Sequence, residues 1–135
     1  MALNNPYAKY QENTVFTATP EELTLMLFNG LVKFIMMAQQ SIDKKDIQKA
    51  NNDIIRAQDI LTQLRTTLDL KYDIGKQLDA LYDFMFFWLI DANINKDVKK
   101  LEEVLVIAKD LRDTWTEAIK LAKQPKKLQN IAKQG

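Results

Sequence analysis

The chain of 135 residues contains no cysteine and no histidine. Without cysteine there are no disulfides, no thiol nucleophile and no thiolate metal site. Without histidine there are no His-centred triads, no Glu-x-x-His pairs of a di-iron bundle and no His-ligated haem. Catalysis would have to rest on Asp, Glu, Lys, Arg or Tyr, and no compact group of them stands out. No Gly-rich phosphate loop is present. The sequence therefore predicts no enzyme, no metal and no cofactor. Glycine and proline are scarce, 3 of each, so punctuation is sparse and long helices are expected. An excess of one charge is missing too, since 19 basic side chains face 18 acidic ones. Such a chain has no general field for holding nucleic acid or an anionic membrane. No apolar run approaches the roughly 18 to 20 residues that cross a bilayer. The start, MALNNPYAKYQENT, lacks the basic and apolar parts of a signal peptide. A soluble cytosolic protein without membrane insertion or nucleic-acid partner is the expectation.

What is present is helical pattern. The length suits one domain and is too short for two comfortable ones. Thr19-Pro20-Glu21-Glu22 reads as a helix start: Thr19 caps, Pro20 fits the first position, and Glu22 completes a capping box. The apolar run from Leu23 to Ile42 breaks at Asp43-Lys44-Lys45, after which Asp46 caps a second helix. There Ile47, Ala50, Ile54, Ala57, Leu61, Leu64 and Leu68 form a seam spaced 3, 4, 3, 4, 3, 4. A third helix is expected from about Ile74 to Asn95, with Ile74, Leu78, Leu81, Met85 and Leu89 inward. Asp97 caps a fourth, whose seam is Leu101, Val104, Ala108, Leu111, Trp115, Ala118 and Ala122, and Pro125 closes it. Short junctions make consecutive helices antiparallel. The fold class is all-α, an up-down-up-down four-helix bundle. It is one domain, with an irregular N-terminal segment at 1–18, the bundle at 19–124 and a mobile basic tail at 125–135.

Two helices carry more apolar surface than a bundle needs. Residues 84–90 read FMFFWLI, oily on both sides. On a wheel at about 100° per residue, Phe87, Ile90 and Ile94 point away from the Met85 stripe. The first helix repeats this with Leu25, Val32 and Met36 opposite Leu27. Met26, Met85 and Trp115 read as core. Contiguous exposed apolar surface marks an interaction site. The competing reading is surface that flanks the core, or that pairs two copies into a structural homodimer.

Several separated stretches carry a resemblance: NPYAKYQENTV at 5–15, TATPEELTLMLFNGLVKFI at 17–35, RAQDIL at 56–61, LYDFM at 81–85, LIDANINKD at 89–97 and LRDTW at 111–115. In order, spacing and length the chain resembles the flagellar secretion chaperone family, the FliS proteins that bind flagellin. The resemblance implies a cytosolic antiparallel four-helix bundle that binds the disordered C-terminal segment of flagellin. It implies that binding prevents premature polymerisation, and that delivery to a component of the flagellar type III export gate follows. It also carries Tyr7 and Tyr10 into the client-binding set, from the stretch before the first helix. It departs at Phe87 and Trp88, positions that are often basic or polar in the family, so Phe87 enters on wheel geometry alone. The expected client-binding residues are thus Tyr7, Tyr10, Leu25, Val32, Met36, Phe87, Ile90 and Ile94, with residues 1–16 covering an outer groove until the client displaces them.

Overall fold

A computed structural model describes residues 17–124, and within them the chain forms four helices: α1 Pro20–Asp43, α2 Ile47–Thr66, α3 Asp73–Asn95 and α4 Val98–Ala122. The residues 1–16 and 125–135, with Tyr7, Tyr10 and the tail, lie outside the described part.

The helix ends follow the capping chemistry. Thr19 Oγ1 accepts the Glu22 amide at 3.2 Å and Asp46 Oδ1 accepts that of Lys49 at 3.2 Å. Asp97 Oδ1 accepts from Lys99 and Lys100 at 3.0 and 3.2 Å. Each uses amides that a first turn leaves without intrahelical partners. The Glu22 carboxylate does not complete the predicted box; it reaches across to Lys123 Nζ at 3.4 Å. The α1–α2 and α3–α4 turns each place a lysine in the left-handed region, Lys45 at φ 61° and Lys96 at φ 50°. The following amides then close back on the helices: Asp46 N donates to Ser41 O and Asp97 N to Ala92 O, both at 2.8 Å.

Cross-helix pairs show the direction of packing. Along α1 and α2, Arg56 lies over the Phe34 ring while Ser41 Oγ donates to Asp53 Oδ2, so the two helices run in opposite senses. Every neighbouring pair has a polar tie. Arg65 joins α2 to Asp79 and Asp83 of α3, and Trp88 Nε1 joins α3 to Glu103 of α4 at 2.7 Å. Trp115 Nε1 joins α4 to the Glu21 carbonyl of α1 at 2.9 Å. Each helix packs on two neighbours, in the ring order α1, α2, α3, α4, which leaves α1 diagonal to α3.

The core is the inner arc of all four helices. Leu31, Ile35, Ile54, Leu61, Leu64, Met85, Leu89, Leu101 and Val104 are fully buried. The α2 seam is inward from Ala50 to Leu64, and the α4 seam from Leu101 to Ala108, as read from sequence. The seams fail at the bundle ends, where a helix outruns its neighbours. Ile47 and Ile74 are exposed, and so are Ala118 and Ala122. Met26 also turns partly outward, because Leu27 and Phe28 take the inward places beside it. One polar group is drawn inside: Asp53 is buried, but Lys49 Nζ at 2.9 Å and Ser41 Oγ at 3.1 Å satisfy it. Helix α1 is long and apolar enough to meet a length-and-composition test for a membrane span, a test that core helices also pass. Its Leu31, Ile35 and Ala38 are fully buried in the bundle.

Candidate functional site

The third helix keeps its second apolar face. Met85 and Leu89 are fully buried, whereas Phe87 is 58% and Ile94 71% exposed and Ile90 is half-buried. These three line a groove between α2 and α3. Its upper part, about 440 Å³, lies among Thr62, Arg65, Thr66, Asp83, Phe86 and Phe87. Its lower part, about 300 Å³, lies among Asn51, Gln58, Ile90, Asn93, Ile94 and Lys96. The rings of Phe86 and Phe87 meet edge to face, 5.7 Å apart, and both line the upper hollow. Below it, Asn93 Nδ2 donates to Asn51 Oδ1 at 2.9 Å and fastens the two helices. At the top, Arg65 donates to Asp79 through Nε at 2.8 Å and Nη2 at 3.3 Å, and to Asp83 through Nη1 at 2.9 Å. The hydrogen bonds to Asp79 lead in holding the guanidinium pKa above its ordinary value, with Asp83 adding to them and burial opposing.

The first helix does not keep its second face in the form predicted. Its inward arc centres near Ile35, about 80° round from Leu27. Val32 falls on the side of Gln39, two turns on, whose Nε2 donates to Glu102 of α4 at 2.8 Å; it is buried, 5% exposed, and is no part of an open face. Leu25 is half-buried and Met36 is 40% exposed. Because α1 and α3 are diagonal, Leu25 and Met36 do not join Phe87, Ile90 and Ile94. The predicted set therefore splits between two sides of the bundle.

Three features escaped the sequence reading. Ile55, 43% exposed, adds an apolar side chain to the outer surface of α2, although that helix was read as having a single face. Phe84 and Trp88 stack at 5.3 Å on the α4 side of α3, and Lys100 Nζ sits 5.0 Å from the Trp88 ring centre. At one end of the bundle an apolar cleft of about 430 Å³ opens among Leu23, Leu27, Leu68, Leu78, Tyr82 and Trp115. Burial pushes the Tyr82 phenol up to about 12. Among the described residues no group of His, Cys, Asp or Glu is placed to hold a metal ion.

Comparison with known proteins agrees with this architecture. The family model described as flagellar protein FliS matches residues 3–122. The flagellar secretion chaperone FliS of Bacillus subtilis (strain 168) is 45% identical over 119 residues, 88% of this chain and 90% of that protein. The flagellar secretion chaperone FliS of Escherichia coli (strain K12) is 30% identical over 111 residues, 80% of this chain and 82% of that one. A crystal structure of a flagellar chaperone from bacteria superposes with a TM-score of 0.70 at 18% identity, covering 85% of this chain and 95% of that chain, a likeness of fold. The chain belongs to the FliS family of flagellar secretion chaperones.

Proposed function

We propose that this chain binds the C-terminal segment of flagellin in the cytosol, prevents its premature polymerisation and helps deliver it to a component of the flagellar export gate. One observation carries the reading: Phe87, Ile90 and Ile94 form an apolar wall in the α2–α3 groove of a chain in this family, with Phe87 and Ile94 largely open to water. A segment that becomes helical in an assembled filament carries apolar stripes, and helix-in-groove docking suits such stripes. Leu25 and Met36 offer a smaller apolar surface on the diagonal helix. A client touching both must wrap around the bundle, which an unfolded segment can do and a preformed rod cannot.

The test is complex formation with the flagellin C-terminal segment, followed by size exclusion with light scattering. The full chain should form a stable complex, and Phe87→Asp with Ile94→Asp should abolish it without loss of helical content. The same experiment tests the homodimer reading, which draws on the same exposed stripe. A free chain that is dimeric and ignores the flagellin segment would replace the chaperone reading.

A further inference from the structure

The α2–α3 groove is polar at its ends as well as apolar along its length, and the two ends differ in sign. At the upper end one guanidinium, Arg65, is shared by two carboxylates, Asp79 and Asp83. Within this cluster one positive charge faces two negative ones, a net negative charge. The Asp83 side chain is 47% exposed, so that charge faces the groove mouth rather than the core. At the lower end Lys96 is the one charged side chain of the lining. It is held by its left-handed backbone and by Nζ donating to the Asn93 carbonyl at 2.7 Å.

The helix dipoles do not add to this polarity. The upper end joins the C-terminus of α2 to the N-terminus of α3, and the lower end joins the opposite pair, so their half-charges cancel. Asp83 and Lys96 are separated by about 20 Å of helix at 1.5 Å per residue. That exceeds the Debye length of about 8 Å at physiological salt, so each end meets a bound charge independently.

We infer that the helix seated in this groove lies parallel to α3, with a basic residue in its first turn against Asp79 and Asp83 and an acidic residue in its last turn against Lys96. This rests on the reading of the groove as a client seat and adds direction and charge to it. The helix's own dipole acts in the same sense, its positive N-terminus at the acidic end and its negative C-terminus at Lys96. The apolar anchors between are set by the upper and lower hollows, two to three helical turns apart. An antiparallel helix with the same side chains would place its basic residue beside Lys96 and its acidic residue beside Asp83.

The absence of cysteine makes the test clean, because one introduced cysteine gives one label. Gln63→Cys marks the upper half of α2 and Gln48→Cys its lower end; both positions are exposed and line neither hollow. The probes are two 14-residue amphipathic peptides sharing one apolar stripe. The first has Lys in its first turn and Glu in its last, and the second has the two exchanged. Binding is measured to the full chain, and NMR line broadening of each isotope-labelled peptide by a nitroxide at either cysteine gives direction. The first peptide should bind about two- to fivefold more tightly, the scale of exposed ion pairs. The Gln63→Cys label should broaden its N-terminal amides and the Gln48→Cys label its C-terminal amides. Equal affinities, or the reverse broadening, would overturn the orientation and leave the groove as the seat. A peptide that binds without broadening from either label would remove the groove reading and the orientation with it.

Discussion

Phe87→Ala separates the groove from the core most sharply. An aromatic side chain buries about 150–250 Å² when fully covered. With Phe87 58% exposed, a client covering it removes a further ~90–145 Å² from water. At about 25 cal/mol per Å² that is roughly 2–3.5 kcal/mol of gross stabilisation. Some of it is offset by ordering the client, so truncation should cost about 2 kcal/mol of binding, roughly 30-fold in Kd. Folding should suffer little, because in the free protein the ring is largely open to water and meets Phe86 edge to face. A loss below about 1 kcal/mol is expected, the scale of one aromatic pair. Met85→Ala, at a fully buried site on the same helix, supplies the contrast. It should cost about 2–5 kcal/mol of stability. Urea unfolding monitored by circular dichroism, with calorimetric titration of the flagellin C-terminal segment, reads both quantities. If Phe87→Ala destabilises the free chain as much as Met85→Ala does, the second face belongs to the core and the reasoning fails.

Gly75→Ala should destabilise by about 1–3 kcal/mol in the same unfolding assay. A Cβ there would run into the Asp69 carbonyl, backbone that cannot swing aside. Gly30→Ala meets only the end of the Ile60 side chain, at 3.1 Å, and should be far milder. Tyr82 is neutral in the folded chain up to about 12 and ionises near 10 when unfolded. Its contribution is therefore fully present below pH 10 and is lost as pH rises towards 12, which Tyr82→Phe should abolish in an alkaline unfolding series. Removal of residues 1–16 should preserve helical content, because the Thr19 cap survives. Binding of an apolar dye should rise if that segment covers an outer groove; unchanged dye binding would end that role.

The bundle was legible because its signals are local. Capping by Thr19, Asp46 and Asp97, and the seams from Ala50 to Leu64 and from Leu101 to Ala108, each follow from residues within one helix. The outward stripe of α3 was legible for the same reason, since Met85 and Leu89 fix its inward direction. On α1 the wheel needed a reference that sequence does not provide. Leu27 is apolar but only partly buried, and the true centre lies near Ile35, so Val32 was placed outward when it is buried. The Arg65 clamp on Asp79 and Asp83 and the end cleft join residues from different helices. Their geometry depends on how far each helix outruns its neighbour, and periodicity within one helix is silent about that.

The central claim is that an apolar groove, not a charged surface, holds the flagellin C-terminal segment. Isothermal titration of the full chain with that segment, at several temperatures and at low and moderate salt, tests it most directly. Coupled folding and binding that buries about 1,000–3,000 Å² should give a heat-capacity change of roughly −0.2 to −0.6 kcal/mol/K. Affinity should change only a few-fold between the two salt concentrations, because the charges at the groove ends guide direction more than strength. A heat-capacity change near zero together with a steep loss of affinity at moderate salt would contradict the account.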